Sequence, residues 1–217
     1  MSSLSNSVNK CLRDMRKQTS TGKGSYGEEA VFRICEQFYQ TEGGILYHSF
    51  SYKTDPDKEG NIKNENGRLY VENLGSSTEI DVLYVSPYRV YPIEVKAYKA
   101  KEIILTDDGI TGCFMTDKSP VHQNEMHMRH LYSVEFRGLP GGETKYNIPI
   151  VCFVDKCKVI DRRSPEQKNY IYVTVLSNLK SFIKKTNVPG DFKIDLELMQ
   201  KLLTDIEISS EKHLPLR

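Results

Sequence analysis

The chain has 217 residues, enough for one well-cored domain and marginal for two. Hydrophobic residues at 38% and charged residues at 27% exclude a disordered or membrane-embedded chain, and no apolar run approaches the roughly 18 residues of a bilayer span. With 30 basic against 29 acidic residues, a uniformly basic nucleic-acid coat is excluded too, so any such contact must use local patches.

The five cysteines, Cys11, Cys35, Cys113, Cys152 and Cys157, are odd in number and lack CxxC spacing. That argues against a disulfide framework or a zinc–thiolate site and for reduced, partly buried thiols. The first residues, MSSLSNSVNKCLRDMRKQ, are basic with no apolar stretch behind them, so they do not read as a secretory leader and a cytoplasmic protein is expected.

In chain order, residues 1–22 form a polar arm with at most a short helix around Val8, Leu12 and Met15. Lys10, Arg13, Arg16, Lys17 and Lys23 stand there against the single acid Asp14. A single domain is expected over 23–217. Val31, Ile34, Cys35 and Phe38 recur at helical spacing, predicting a helix over 26–40 closed by Gly43 and Gly44. A strand is expected at 45–52, then a long polar loop over 53–77 that admits a short strand at 69–71. The β-rich runs 78–85 and 90–96 are separated by Ser86, Pro87, Tyr88 and Arg89 and read as a hairpin. A strand follows at 102–106 with a turn at Asp107, Asp108 and Gly109. Ser119 then Pro120 opens a helix over 120–136. After the break GLPGGETKYN, strands are expected at 148–154, 159–160 and 170–176, and a short helix capped by Ser177. The chain closes with an amphipathic helix over 194–207, where Leu196, Met199, Leu202, Leu203 and Ile206 share a face. This order predicts a layered α/β or α+β fold.

Chemistry concentrates in the hairpin. If its turn is symmetrical, Val85 opposes Val90 and Asp81 opposes Glu94, placing two carboxylates across the ladder. Like charges so placed are destabilising, and a hard divalent cation is a natural offset. Lys96, two residues beyond Glu94, shares its face. A surface salt-bridge cluster is the alternative. Against it, Ile80, Val82, Leu83, Val85, Ile93 and Val95 make both faces apolar, as in a central strand. Pro92 fits the strand if its missing N–H faces no partner.

Asp81 followed by Glu94-Val95-Lys96 resembles the PD-(D/E)XK nuclease superfamily. The wider pattern resembles its nuclease-related domain branch: Lys23-Gly24-x-x-Gly27-Glu28 opening a helix, Glu79-Ile80-Asp81, Ile93-Glu94-Val95-Lys96-Ala97-Tyr98, then Ser119-Pro120-Val121-His122-Gln123. The resemblance covers roughly 23–155. It implies a restriction-endonuclease-like core with a central mixed sheet flanked by helices, Mg²⁺ or Mn²⁺ dependence, and phosphodiester hydrolysis in DNA, with an endodeoxyribonuclease the expected form. By the resemblance Asp81 and Glu94 hold the metal, with Glu28 at the metal and its water; Lys96 acts on the attacking water and the transition state, and Gln123 lies near the nucleophile or phosphate.

Other readings stand beside these. Ser25-x-x-Glu28 is also a capping box; Gln123 is also readable as an exposed helix residue; Glu79 is either an acid behind the site or a solvated one. His122, His127 and His130 raise zinc, without an evident third ligand beyond the spacing of 127 and 130. A catalytically inactive nucleic-acid-binding or regulatory module on the same scaffold is the alternative function. A homodimer is left open, with the C-terminal helix as its candidate contact.

Overall fold

A computed structural model gives the fold. It describes residues 20–53, 62–65, 68–71, 77–98, 100–111, 119–134, 146–154, 156–190 and 193–217, with the side chains of 20–25, 53, 62–65, 68–71, 77, 129–130 and 132–134 outside the description. The arm expected at 1–22, save its last residues, and most of the 53–77 segment lie outside the described residues, as does the break before residue 146.

The first helix, α1 (Ser20–Glu42), buries Val31, Phe32, Cys35, Phe38 and Tyr39 along one side, with Ile34 at the margin. It begins at Ser20, so Ser25 lies within it and the capping-box reading of Glu28 falls: a capping residue stands outside the helical backbone. Gly43 and Gly44 end it with φ of 80° and 116°. At Gly44 a Cβ would also lie 2.2 Å from the Val85 carbonyl oxygen, so glycine lets the next strand start hard against its neighbour.

The chain then runs through β1 (Ile45–Lys53), β2 (Ile62–Glu65), β3 (Arg68–Val71), β4 (Ser77–Val85), β5 (Val90–Lys96), β6 (Glu102–Thr106) and β7 (Gly109–Thr111). After α2 (Pro120–Val134) come β8 (Ile150–Phe153), β9 (Lys158–Asp161), α3 (Pro165–Tyr170), β10 (Tyr172–Val175) and α4 (Leu176–Thr186). The last elements are α5 (Leu196–Ile206), β11 (Glu207–Ser209) and β12 (Lys212–Leu214).

The main sheet has the order β10-β8-β5-β4-β1, with β11 and β12 both pairing along the outer edge of β1. Strands β10, β8 and β5 are parallel, whereas β4, β1 and the C-terminal strands add antiparallel. Helices α1 and α4 cover one face through Val31, Phe32, Cys35, Leu179 and Ile183. On the other face, α2 contributes Leu131 and α5 contributes Met199 and Leu203. Both faces of β5 are thereby closed, which is why its run VYPIEVK is apolar without alternation. This mixed α/β architecture, a central mixed sheet flanked by helices, is compatible with a restriction-endonuclease-like core.

Several elements differ from the sequence expectation. The polar segment holds a hairpin, β2 with β3, rather than one short strand. Residues 165–170 form α3 ahead of a shorter β10; Ser164 accepts the Gln167 N–H and Pro165 occupies the first turn, the same Ser-Pro signal that opens α2. Ser177 does not cap α4, because the helix begins at Leu176 with Val175 before it. Strands β11 and β12 carry no periodic signal of their own. Cys35 and Cys152 are buried free thiols, and burial pushes both up in pKa. Among the described residues no helix is long and apolar enough to cross a membrane.

Candidate active site

Across the β4–β5 turn Val85 does oppose Val90, and the ladder runs through Tyr84–Tyr91 and Leu83–Pro92 to Val82–Ile93, where it stops. Ser86 holds the turn: its Oγ accepts the N–H groups of Tyr88 and Arg89. Asp81 and Glu94 would form the next rung. Instead, the Asp81 carboxylate accepts the Val95 N–H at 2.7 Å.

The neighbouring strand shows why the ladder opens there. Ser49 stands on β1 between the His48–Val82 and Phe50–Ile80 pairs, opposite Asp81, and has φ 53°, uncommon for a residue other than glycine. At this point the strands exchange faces. Leu46, Val82 and Tyr84 pack toward α1, yet Phe50, Tyr52 and Ile80, of the same parity, join the cluster under α2 and α5. Asp81 sits at the switch, where strict alternation fails.

Glu94 is 1% exposed, in a strand covered on both sides. Lys96 Nζ lies 2.5 Å from its Oε1 and donates to Gln123 Oε1 at 3.0 Å. His127 Nε2 lies 3.2 Å from Oε2, and its Nδ1 lies 2.9 Å from Thr78 Oγ1. Lys96 and His127 thus each meet one of the two buried oxygens of Glu94. From the same helix, Asn124 donates to the Ile150 carbonyl at 2.8 Å and more weakly to that of Pro92 at 3.4 Å, tying α2 across β5 and β8.

Glu28 approaches from α1. A Cβ on Gly27 would meet Val154 Cγ2 at 2.7 Å and Val95 Cγ1 at 3.2 Å, so glycine lets α1 settle against β5 and bring Glu28 to the strand end. Burial raises the Glu28 carboxyl, and the fields of Glu211, Glu79 and Glu94 raise it further. Asp81 is raised well above its ordinary value, first by burial and then by Glu94, against the Val95 hydrogen bond. Burial would raise Glu94 as well, but His127 and Lys96 outweigh it and hold that carboxyl low. The pair therefore favours one negative charge, on Glu94, with the proton on Asp81.

The structure thus brings Asp81, Glu94, Lys96 and Gln123 together, with Glu28 near enough for its charge to be felt. Among the described residues no three His, Cys, Asp or Glu side chains close round a common cation position. Glu79 is exposed and accepts a hydrogen bond from Ser51, adding its field from the rim. His122 is exposed beside Glu125, and the His130 side chain lies outside the described residues. Sequence reading missed Thr78, Asn124 and the pairing of His127 with Glu94. The usable signal for His127 was its spacing of four from Gln123, which puts both on one side of α2. Glu211 had no such signal.

The nuclease-related domain family model matches residues 23–154, from α1 through β8, a span that contains all five proposed site residues. No curated protein matches the chain. A crystal structure of a protein of unknown function, AF1548, aligns with 82% of this chain and 80% of its own at 14% identity, with a TM-score of 0.33.

Proposed function

Because the chain belongs to the nuclease-related domain family, we propose that it is a metal-dependent nuclease hydrolysing phosphodiester bonds in DNA. The observation that carries this reading is the Lys96 ammonium, held between Glu94 at 2.5 Å and Gln123 at 3.0 Å beside the Asp81 carboxylate. A lysine beside two carboxylates in an otherwise apolar sheet is costly for stability alone and suited to phosphoryl chemistry.

The residues fit a hard cation. Glu94 presents a buried carboxylate, and burial followed by the charge of Glu94 holds the adjacent Asp81 carboxyl up in pKa. Mg²⁺ or Mn²⁺ held by Asp81 and Glu94 would supply the positive charge that lets both carboxylates ionise and that polarises a phosphoryl oxygen. Lys96 then orients the attacking water and offsets charge developing on phosphorus-bound oxygen. Gln123 keeps the ammonium aimed. Glu28, whose charge is felt by Asp81, would serve the same cation or its water.

Purified protein incubated with circular, linear and single-stranded DNA, with Mg²⁺, Mn²⁺ or EDTA, tests this. Cleavage with either cation, lost in EDTA and in Glu94→Gln, is expected. DNA binding without cleavage under every condition would overturn the enzyme reading and leave a binding module on the same scaffold.

A further inference from the structure

Resting on that reading of the site, we propose that His127, braced by Thr78, is a positioning residue that fixes Glu94 for the cation. The first argument is spacing. Gln123 meets Lys96 and His127 meets Glu94, so rising numbers on α2 face falling numbers on β5. Four residues of helix advance about 6 Å and two residues of strand about 6.6 Å. One rigid helix therefore serves both residues of the Glu94-Val95-Lys96 strand in register, and neither contact needs a loop.

The second argument is anchoring. His127 is 5% exposed, and Tyr52 donates its hydroxyl to the His127 carbonyl at 3.1 Å. One turn earlier, the buried Asn124 amide grips the Ile150 carbonyl. These bonds fix the stretch of α2 from which the buried imidazole meets Glu94.

The third argument is direction. A carboxylate oxygen only accepts, so Nε2–H faces Glu94 while Nδ1 meets the Thr78 hydroxyl at 2.9 Å. Thr78 reaches the ring because of the face switch at Asp81. Strict alternation from Tyr84 and Val82 would have turned Thr78 toward α1, whereas Ile80 and Tyr52, its companions beyond the switch, pack under α2 and α5. With Oε2 claimed by His127, Oε1 is left to Lys96.

Partners of this sort set ligand orientation, and their loss typically costs about 10- to 100-fold in metal affinity or activity. Calorimetric titration of Mn²⁺ into wild type, Asp81→Asn, His127→Ala, His127→Gln and Thr78→Val, with melting in EDTA as the folding control, tests the proposal. Wild type is expected to bind Mn²⁺ and Asp81→Asn to lose binding. His127→Ala should bind roughly 10- to 100-fold more weakly. His127→Gln, whose amide N–H reaches the same oxygen, should recover most of that affinity, and Thr78→Val should weaken it less than His127→Ala does. If His127→Ala does not fold, the Gln and Val variants decide. Wild-type binding together with unchanged affinity in the folded His127 and Thr78 variants would overturn the positioning role alone. Failure of wild type to bind Mn²⁺ would overturn the site reading, and with it this one.

Discussion

The Asp81 carboxylate accepts the backbone N–H of Val95 at 2.7 Å, one step past the last paired rung of β4 and β5. Asp81 thereby fills the place of a ladder hydrogen bond while holding its carboxyl beside Glu94. Asp81→Asn retains an acceptor for Val95 and cannot ionise to hold a cation. The variant is expected to fold, to melt in EDTA at least as high as wild type, and to lose both cleavage and the rise in melting temperature with Mn²⁺. An equal Mn²⁺-induced rise in wild type and variant would remove Asp81 from the metal site.

Lys96 does not ligate a cation, so its loss should separate chemistry from binding. Lys96→Ala should lower cleavage by about 10² to 10³, roughly 2.7 to 4 kcal/mol, because one donor aimed at developing charge is gone. The buried Glu94 also loses its ammonium, so the variant should melt lower in EDTA and gain more from Mn²⁺ than wild type does. Lys96→Arg should rescue poorly, since the planar fork does not replace a compact ammonium. Cleavage by Lys96→Ala at the wild-type rate under saturating metal would show the site to be misassigned.

Among the described residues, the β2–β3 hairpin forms its own two-stranded sheet and pairs with no strand of the main one. Removing residues 62–71 as a unit, with a short Gly/Ser closure, is expected to cost under about 1 kcal/mol, a melting shift of roughly 2–4 °C. Circular dichroism melts would check it. A deletion that unfolds the protein would make the hairpin part of the core.

Arg163 is buried and grips Asp161 with two bonds of 2.9 Å, while also donating to the Ile171 carbonyl at 2.9 Å. Burial alone would raise the Asp161 carboxyl, but the guanidinium overrides it and holds the group below its ordinary 3.8. A depressed carboxyl stabilises the fold above its unfolded pKa and loses that contribution as pH falls through the folded value. Asp161→Asn leaves a buried charge uncompensated and should cost about 3–5 kcal/mol near neutrality. Its deficit should hold steady down to about pH 4 and narrow below, as urea titrations at stepped pH would show. A deficit independent of pH would remove the ion pair as its cause.

Features that depend on neighbours along the chain were legible in the sequence. Ser86 to Arg89 makes a symmetrical turn, so Val85 had to face Val90, and period two had to put Lys96 beside Glu94. Ser119-Pro120 opened α2, and Gln123 followed on the side that meets the sheet. Tertiary structure decided the rest. Alternation carried through Asp81 points Ile80 and Thr78 to the wrong face, because nothing local announces that Ser49, across the ladder, takes a left-handed conformation. Whether His127 is a ligand, a core residue or a partner of Glu94 depends on the direction in which α2 crosses β5, a matter of packing between elements far apart in the chain. The three-residue strands β11 and β12 exist because β1 would otherwise present unpaired N–H and C=O groups. That edge, rather than any pattern in residues 207–214, is what brings Glu211 within reach of Glu28.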